Sequence, residues 1–363
     1  MQFTLEQQNN FGRAGFVKTA RGAFLTPAFM PVATQGAMKA MRIDDLKTTH
    51  ADIILANSYH LFLRPGLAVI KKHQGLHQFM NWQGPILTDS GGFQIMSLSK
   101  LTTITDDGVW FQSPHDGKKY FFDPPLVMHI QHILNSDIAM VLDQCIGYPA
   151  DKTSVAAAMK KSNHWAKICR SIFKERTGYG VFGIVQGGLH SDLREEAVKT
   201  LLPMDFHGIA IGGLAVGEGQ QAMLETLTHT IKHLPKNKPR YLMGVGKPDD
   251  IIKSVELGCD MFDCVLPARS GRHGQVFLRG KNGKDDFANY QTINIKNAKH
   301  RLSPIPLDSH CRCPACQHYS RAYLNHLFHA GEILSMILLT WHNQMFYQDL
   351  INWLRQRILT AKK

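Results

Sequence analysis

The sequence predicts an α/β protein whose main body is a (β/α)8 TIM barrel. Eight short apolar runs recur along the chain, and each ends in a small or polar residue. Continuous apolar runs of this length are typical of strands buried on both faces of a parallel sheet. Helical segments lie between most of them, and eight alternating units over about 240 residues match this class of barrel. The predicted strands are residues 28–33, 52–57, 85–89, 137–143, 181–188, 208–214, 240–246 and 259–265.

Helix boundaries can be read between several of these strands. Asp151 is the expected N-cap of a helix over residues 151–176, and Ser191 is the expected N-cap of a helix over 191–204. Their side-chain oxygens suit the free N–H groups of a first helical turn. Two further helices are predicted over residues 218–235 and 247–258.

Two segments outside this alternation predict β-hairpins. Residues 108–123 alternate around an Asp-Gly turn, which is typical of a hairpin inserted in the loop after the third strand. Residues 2–22 predict a second hairpin that caps the barrel. Beyond residue 300 a Cys/His cluster precedes a long amphipathic helix. We therefore expect a barrel with its capping hairpin over residues 1–300 and a C-terminal subdomain over 301–363.

Composition narrows the class of protein. The chain has 41 Lys and Arg against 29 Asp and Glu, a formal net charge of +12 at pH 7. This excess favours a polyanionic partner, with nucleic acid as the first candidate. No apolar run approaches the roughly 18 residues of a membrane-spanning helix, and the N-terminus lacks the pattern of a signal peptide. We therefore expect a cytoplasmic protein without a membrane partner.

Polar residues end most of the predicted strands. In a TIM barrel these ends share one face, where active sites lie. Any one Asp there could be a helix N-cap, but three carboxylates at one mouth indicate a functional site, because unpaired buried carboxylates are destabilising. The residues at these ends are Asn57, Asp89, Asp143, Gln186, Gly212, Gly213, Met243 and Asp263.

These residue types suit chemistry at a glycosidic carbon. A pair of carboxylates such as Asp89 and Asp263 can stabilise an oxocarbenium-like centre and move protons. Asp143 and Gln186 offer hydrogen-bonding groups that fit the Watson–Crick edge of a guanine-like base. Phe93 and Met243 would supply flat apolar walls for stacking, although either residue taken singly is more often part of a core.

The C-terminal segment carries a metal signature. Cys311, Cys313, Cys316 and His342 form the pattern C-x-C-x2-C-x25-H. Three thiolates in a tight loop and one imidazole match a closed, structural Cys3His zinc site. An iron–sulfur site or free thiols are the alternatives. The odd total of seven cysteines favours a reducing compartment over a disulfide framework.

Together these motifs resemble those of the bacterial tRNA-guanine transglycosylases. The resemblance runs from about residue 10 to about residue 350, with every motif in the same order. It is carried by TDSGGFQIMSL, VLDQCIGYP, GIVQGGLHSDLR, IAIGGLAVGE, YLMGVGKPDDI, DMFDCVLPARSGRHGQVF, CRCPACQHYSRAYLNHL and TWHN.

The resemblance implies a zinc-bearing barrel that exchanges the wobble guanine of G-U-N anticodon tRNAs for a 7-deazaguanine. The incoming base would be 7-aminomethyl-7-deazaguanine (preQ1), the precursor of queuosine. Asp263 would be the nucleophile that gives a covalent tRNA intermediate, and Asp89 the general acid/base. The family usually acts as a homodimer with the zinc region near the interface.

The same resemblance assigns binding roles. Asp143 and Gln186 would hold the base edge, with the Gly213 amide and the Leu214 carbonyl completing its recognition. Phe93 and Met243 would sandwich the ring. The remaining residues would support the loop, the ribose and the RNA: Glu218 behind Leu214, Asn57, Gln94 and Val265 at the ribose, and Arg269 and Arg272 at the anticodon.

One departure from the family pattern lies beside the base site. Gln144 stands where the family commonly has Glu, which removes a negative charge next to Asp143 and affects the expected base preference. Val216 and Cys145 match the preQ1-using type. Three alternatives stay open: a non-catalytic tRNA-binding partner subunit, a barrel glycosidase acting on sugars, and a relative that uses queuine or acts on DNA.

Overall fold

A ring of parallel strands forms the centre of the computed structural model, which describes residues 1–98, 102–283 and 285–361. In chain order the strands are β1 (Gln2–Asn9), β2 (Gly12–Thr19), β3 (Gly22–Thr26), β4 (Ala28–Met30), β5 (Val32–Ala33), β6 (Ile54–Ala56), β7 (Ile86–Thr88), β8 (Thr102–Ile104), β9 (Val109–Gln112), β10 (Lys119–Phe122), β11 (Ile138–Met140), β12 (Gly180–Val185), β13 (Gly208–Ile211), β14 (Arg240–Leu242), β15 (Met261–Asp263), β16 (Gln275–Leu278) and β17 (Gln291–Asn294).

Helices cover the outside of this ring and fill the C-terminal region. They are α1 (Ile43–Lys47), α2 (Ser58–Leu63), α3 (Leu67–Lys72), α4 (Leu76–Met80), α5 (Gly92–Leu98), α6 (Pro124–Leu134), α7 (Lys152–Ile172), α8 (Ser191–Leu201), α9 (Gln220–Lys232), α10 (Pro248–Leu257), α11 (Leu266–Arg272), α12 (Pro314–His318), α13 (Arg321–His329) and α14 (Ile333–Thr360). Among the helices of the described ranges, none combines the length and apolarity needed to cross a membrane.

The predicted barrel is confirmed, and all eight predicted runs contain a strand of it. The sheet order is β4-β15-β14-β13-β12-β11-β7-β6-β5. The first run is divided at Pro31 into β4, which pairs with β15, and β5, which pairs with β6. One run of chain therefore supplies both edges of the sheet and brings the ring nearly to closure. All six residues of β12 are buried, as expected for a strand covered on both faces.

The two predicted hairpins are each part of a larger sheet. β9 and β10 pair around the Asp-Gly turn, with Gln112 opposite Lys119, and β8 adds a third strand. Phe111 and Phe122 from this sheet pack on Tyr59 with ring centroids 5.3 and 6.4 Å away. At the N-terminus β1 and β2 form the predicted hairpin, and β3 joins them as a third strand.

Of the two N-caps predicted from the sequence, one is confirmed and the other is wrong. The Asp151 carboxylate accepts the Ser154 N–H at 2.9 Å, so this N-cap prediction is confirmed. The prediction that Ser191 is an N-cap is wrong. His190 is the extended residue before α8, with no side-chain cap, and Ser191 is already helical. The turn in which the His190 N–H bonds the Gly187 carbonyl brings the chain into the helix one residue earlier.

A second apolar cluster surrounds the C-terminal cysteines. It includes Val276, Leu278 and Ile295 as well as Leu324 and Leu339. α14 runs from this cluster onto the barrel, where Gln348 Nε2 donates to the Phe29 carbonyl at 3.1 Å. Further along the helix Arg355 Nη1 donates to the carbonyls of Gly15 and Thr26 at 2.8 and 2.6 Å. The division of the chain at residue 300 stays a prediction.

Candidate active site and metal centre

A cavity of about 650 Å³ opens at the carboxyl ends of the barrel strands. All but one of the residues that the sequence assigns to catalysis and substrate binding line it, and Glu218 lies just outside, in an adjoining pocket. The structure therefore brings the predicted set to one place, while the role of each residue stays a prediction. Those that line the cavity are Asn57, Asp89, Phe93, Gln94, Asp143, Gln186, Gly213, Leu214, Met243, Asp263, Val265, Arg269 and Arg272.

Asp263 ends β15 with one carboxylate oxygen held by two donors. Tyr241 Oη donates to Oδ1 at 2.6 Å, and the Gly244 N–H donates to the same oxygen at 2.8 Å. Burial raises the pKa of Asp263, and these two hydrogen bonds act in the opposite direction. Within the described residues Oδ2 receives no hydrogen bond, so it is free to contact a molecule bound in the cavity.

Sequence reasoning missed Tyr241. This residue sits inside an apolar strand, where an aromatic side chain is expected in the core, and it is 1% exposed. Burial and the neighbouring Asp263 carboxylate raise the pKa of Tyr241 well above its usual value. The phenol therefore stays protonated and acts as a donor across the ordinary pH range.

Asp89 follows β7, and its carboxylate accepts hydrogen bonds from residues that follow the neighbouring strand β6. Asn57 Nδ2 donates to Oδ2 at 2.5 Å, and the Ser58 N–H donates to Oδ1 at 3.0 Å. Burial raises the pKa of Asp89 to about 7, and the charge of Asp263 adds to the effect. A carboxyl group that titrates near neutrality can both give and take a proton.

Asp143 and Gln186 form a hydrogen-bonded pair on the cavity floor. Gln186 Nε2 donates to Asp143 Oδ2 at 2.6 Å. Burial raises the pKa of Asp143 to about 6. Gly213 lies against this pair with a φ of +65°, and a Cβ there would be 2.4 Å from Gln186 Oε1. Glycine is therefore required at this position to keep the backbone beside the amide.

Glu218 orients the backbone of the loop after β13. Its carboxylate accepts the N–H groups of Ala215 and Val216, the latter at 2.8 Å. Because a trans peptide points its N–H and C=O in opposite directions, the Leu214 carbonyl is directed away from Glu218. Leu214 itself lines the cavity.

A buried arginine supports the same loop and was also missed from the sequence. Arg194 is fully buried, and its Nη1 donates to the carbonyls of Val185 and Gly212 at 3.0 and 2.8 Å. Its Nε donates to the Gly188 carbonyl at 2.8 Å. Burial lowers its pKa to about 10, which leaves it charged at neutral pH. Arg194 therefore holds the ends of β12 and β13 together beneath the cavity.

The cavity rim carries the aromatic and basic residues. Phe93 is 54% exposed although it is a large apolar side chain, which suits a stacking surface. Arg269 and Arg272 lie on α11, which crosses α14 closely. A Cβ on Gly271 would be 2.7 Å from the Thr340 nitrogen, so the glycine permits this crossing.

The predicted metal ligands meet in one buried cluster. The donor atoms of Cys311, Cys313, Cys316 and His342 lie within 4.8 Å of one another. His342 Nδ1 faces Cys316 Sγ at 3.2 Å and Cys313 Sγ at 3.6 Å. The other ring nitrogen, Nε2, lies 2.7 Å from the Phe277 carbonyl, the partner that fixes a ligating imidazole. The cluster can bind one metal ion.

Comparison with known proteins agrees with this geometry. A family model described as queuine tRNA-ribosyltransferase matches residues 8–362. The queuine tRNA-ribosyltransferase of Ruegeria pomeroyi is 51% identical over 98% of this chain and 92% of its own length. Those of Rickettsia bellii and Cereibacter sphaeroides are each 50% identical over 99% of this chain and 97% and 93% of their own lengths. The chain therefore belongs to the queuine tRNA-ribosyltransferase family.

Proposed function

We propose that this chain is a tRNA-guanine transglycosylase that replaces the wobble guanine of G-U-N anticodon tRNAs with preQ1, within queuosine biosynthesis. The observation that carries the proposal is the meeting of Asp263 and Asp89 in one cavity beside the Asp143–Gln186 pair. Two carboxylates placed for displacement at a sugar carbon and a receptor for a base edge form a single site.

Asp263 is the nucleophile of the proposed reaction. Its Oδ2 attacks the ribose C1′, a C–O bond forms, and the bond to guanine N9 breaks. Asp89 supplies the proton to the departing guanine and then removes one from the incoming base, whose nitrogen displaces Asp263. Two displacements at one carbon retain its configuration, as in retaining glycosidases. Because one glycosidic bond replaces another, no external energy source is needed.

Asp143 and Gln186 recognise the base edge, with the Gly213 amide and the Leu214 carbonyl beside them. Phe93 and Met243 stack on the ring from the cavity wall. A wobble base must leave its loop to enter such a cavity, and stacking together with edge contacts compensates for the lost interactions.

The orientation of the Leu214 carbonyl favours preQ1. A cationic aminomethyl group needs an acceptor, and the peptide held by Glu218 directs this carbonyl away from the glutamate. Gln144 does not supply a charge at this point, and its side-chain Oε1 is buried without a partner among the described residues.

The RNA is held by charge and by the cavity rim. The net charge of +12 supports binding to the phosphate backbone. Arg269 and Arg272 contact the anticodon RNA, and Asn57, Gln94 and Val265 lie at the ribose. The proposed site of action is the cytoplasm, where tRNA is modified.

Zinc is the metal that fits the C-terminal cluster. Three thiolates and one imidazole are the donors that Zn²⁺ takes in closed tetrahedral sites, with ligand atoms about 3.5–4 Å apart. The sulfur–nitrogen distance of 3.6 Å agrees with that spacing, and the distance of 3.2 Å is slightly shorter. The ion would be held by Cys311, Cys313, Cys316 and His342. It would cross-link α14 to the preceding loop.

We also propose a homodimer formed through the region of the metal cluster. Leu302 is 89% exposed, Ile305 53% and Ile333 69%. Large apolar side chains that stay exposed to solvent are typical of a contact with another protein. Equilibrium sedimentation of the wild type and of Leu302→Glu tests this assembly.

A trapping experiment tests the reaction. The enzyme is mixed with a radiolabelled G-U-N anticodon stem-loop and 9-deazaguanine, and the products are separated on a denaturing gel. We expect a slowly migrating protein–RNA band that is absent in Asp263→Asn and present in Asp192→Asn, a matched change at an exposed carboxylate. Release of the trapped RNA by preQ1, queuine or guanine then identifies the incoming base.

Two results would overturn the proposal. Binding of the stem-loop without a covalent band would indicate a partner subunit that is not catalytic. Failure to bind the stem-loop at moderate salt, together with hydrolysis of a simple glycoside, would indicate a barrel glycosidase.

A further inference from the structure

A second group of metal-type ligands lies on the outer layer of the barrel, away from the cysteine cluster. Glu195 on α8 and His229 and His233 on α9 have ligand atoms that all lie within 4.8 Å of one another. All three side chains are half-buried. Neither the proposed reaction nor the Cys3His cluster makes use of them.

The spacing on α9 is favourable for a metal ion. Residues i and i+4 of a helix lie one above the other on the same face. The His229 and His233 rings are accordingly 5.0 Å apart. Two histidines in this relation, with a carboxylate from elsewhere, are the ligands of open His2Glu zinc sites.

The state of His229 provides a second observation. Its Nε2 is buried and finds no hydrogen-bond partner in the part of the chain that the structure describes. A buried ring nitrogen without a partner is unfavourable, and a metal ion bound at this nitrogen would satisfy it.

Lys199 is the present partner of Glu195. Its Nζ lies 2.6 Å from Glu195 Oε1, but 72% of the lysine side chain is exposed. Exposed ion pairs contribute little to stability, so a divalent cation can replace this lysine at the carboxylate.

We propose that Glu195, His229 and His233 form a second metal site that binds a divalent first-row transition ion such as Zn²⁺, Co²⁺ or Ni²⁺. Imidazole nitrogen and carboxylate oxygen suit these ions better than Ca²⁺ or Mg²⁺. Three protein ligands leave positions for water. The ion cross-links α8 to α9, and α8 also carries Arg194, which supports the cavity floor.

Cobalt titration tests this site on the full chain. Co²⁺ bound by thiolates gives intense charge-transfer absorption, whereas Co²⁺ bound by imidazole and carboxylate does not. After one equivalent has filled the cysteine cluster, equilibrium dialysis with metal analysis measures further binding. We expect a second equivalent with a dissociation constant in the micromolar range.

Variants assign that second equivalent. We expect His229→Ala and His233→Ala each to weaken it at least 10-fold and Glu195→Gln to weaken it several-fold. His164→Ala, a change at an exposed histidine of α7, serves as the control and should leave it unchanged. The thiolate absorption of the first equivalent reports that each variant is folded. If His229→Ala does not fold, His233→Ala tests whether these histidines bind the second equivalent.

Two outcomes would overturn the inference. One is a wild-type chain that binds a single equivalent up to millimolar Co²⁺. The other is a second equivalent that persists in the double variant His229→Ala/His233→Ala. Neither measurement depends on transglycosylation, so failure of this site and failure of the proposed function are distinguishable.

Discussion

Replacement of Tyr241 by Phe tests whether Asp263 acts through a single free oxygen. The change removes only the hydroxyl that donates to Asp263 Oδ1 at 2.6 Å, and the ring stays in its buried position. Among the described residues, the Gly244 N–H is then the one remaining donor to Oδ1. The carboxylate loses part of its orientation and the donor that favours its ionised form.

The expected loss of rate follows from the strength of the hydrogen bond between Tyr241 and Asp263. A hydrogen bond to a charged group contributes about 1.5–3 kcal/mol. If this interaction is fully used in positioning the nucleophile, the rate of covalent complex formation falls about 10- to 150-fold. The pKa of Asp263 also rises. Because attack requires the ionised form, the acidic limb of the pH–rate profile moves to higher pH.

Single-turnover trapping of the stem-loop across a pH series measures both effects. Tyr347→Phe is the matched control, since this phenol is also buried but donates at 2.5 Å to the Gly246 carbonyl and not to a carboxylate. We expect that control to leave the acidic limb in place. An unchanged rate and an unchanged acidic limb in Tyr241→Phe would refute the assignment of Oδ2 as the attacking oxygen.

Three further predictions address the acid/base group, the metal and the base-recognition loop. We expect Asp89→Asn to lower turnover about 10²- to 10⁴-fold. The folded-state pKa of Asp89 is raised to about 7, so the wild type loses stability as pH rises from about 4 to 7. Thermal melts should therefore show Asp89→Asn stabilised at pH 8 and not at pH 4, and an equal shift at both would contradict the pKa. Chelation of the metal, or Cys313→Ser, should lower the midpoint of thermal unfolding by about 10 °C or more. An unchanged midpoint after verified metal loss would rule out a structural role. Glu218→Ala should raise the KM for preQ1 about 10-fold with a smaller effect on guanine exchange, measured by radiolabelled base incorporation, because the loop loses the acceptor that orients the Leu214 carbonyl. An equal effect on both bases would contradict that orientation.

The barrel could be predicted from the sequence because its signals are local. A buried parallel strand requires a continuous apolar run, and each of the eight runs met that requirement. The third strands of the two three-stranded sheets, β3 and β8, were missed because their pairing depends on neighbours that sequence periodicity does not reveal. The start of α8 was misplaced by one residue because a backbone turn, and not a side-chain cap, determines it.

The residues of the candidate site likewise fall into those that the sequence predicted and those that it did not. Asp89, Asp143 and Asp263 follow apolar runs, so their position at strand ends made them visible. Tyr241 and Arg194 support these groups from within a strand and a helix, where nothing in the local pattern separates them from core residues. Their roles depend on contacts 22 and 18 positions along the chain, Tyr241 to Asp263 and Arg194 to Gly212, which appear only once the barrel has formed.

The divided first strand links the neighbourhood of Asp263 to the far end of the chain. Asp263 is in register with Met30, and the adjacent Phe29 carbonyl is held by Gln348 from α14. The same helix contributes His342 to the metal cluster six residues earlier and Arg355 to the N-terminal sheet. β4, the strand beside Asp263, is therefore held by a helix that lies after all three of the aspartates in the chain. A chain that ends before residue 333 contains Asp89, Asp143 and Asp263 but lacks this helix. The surroundings of Asp263 therefore include a contact that depends on the presence of the C-terminal helix.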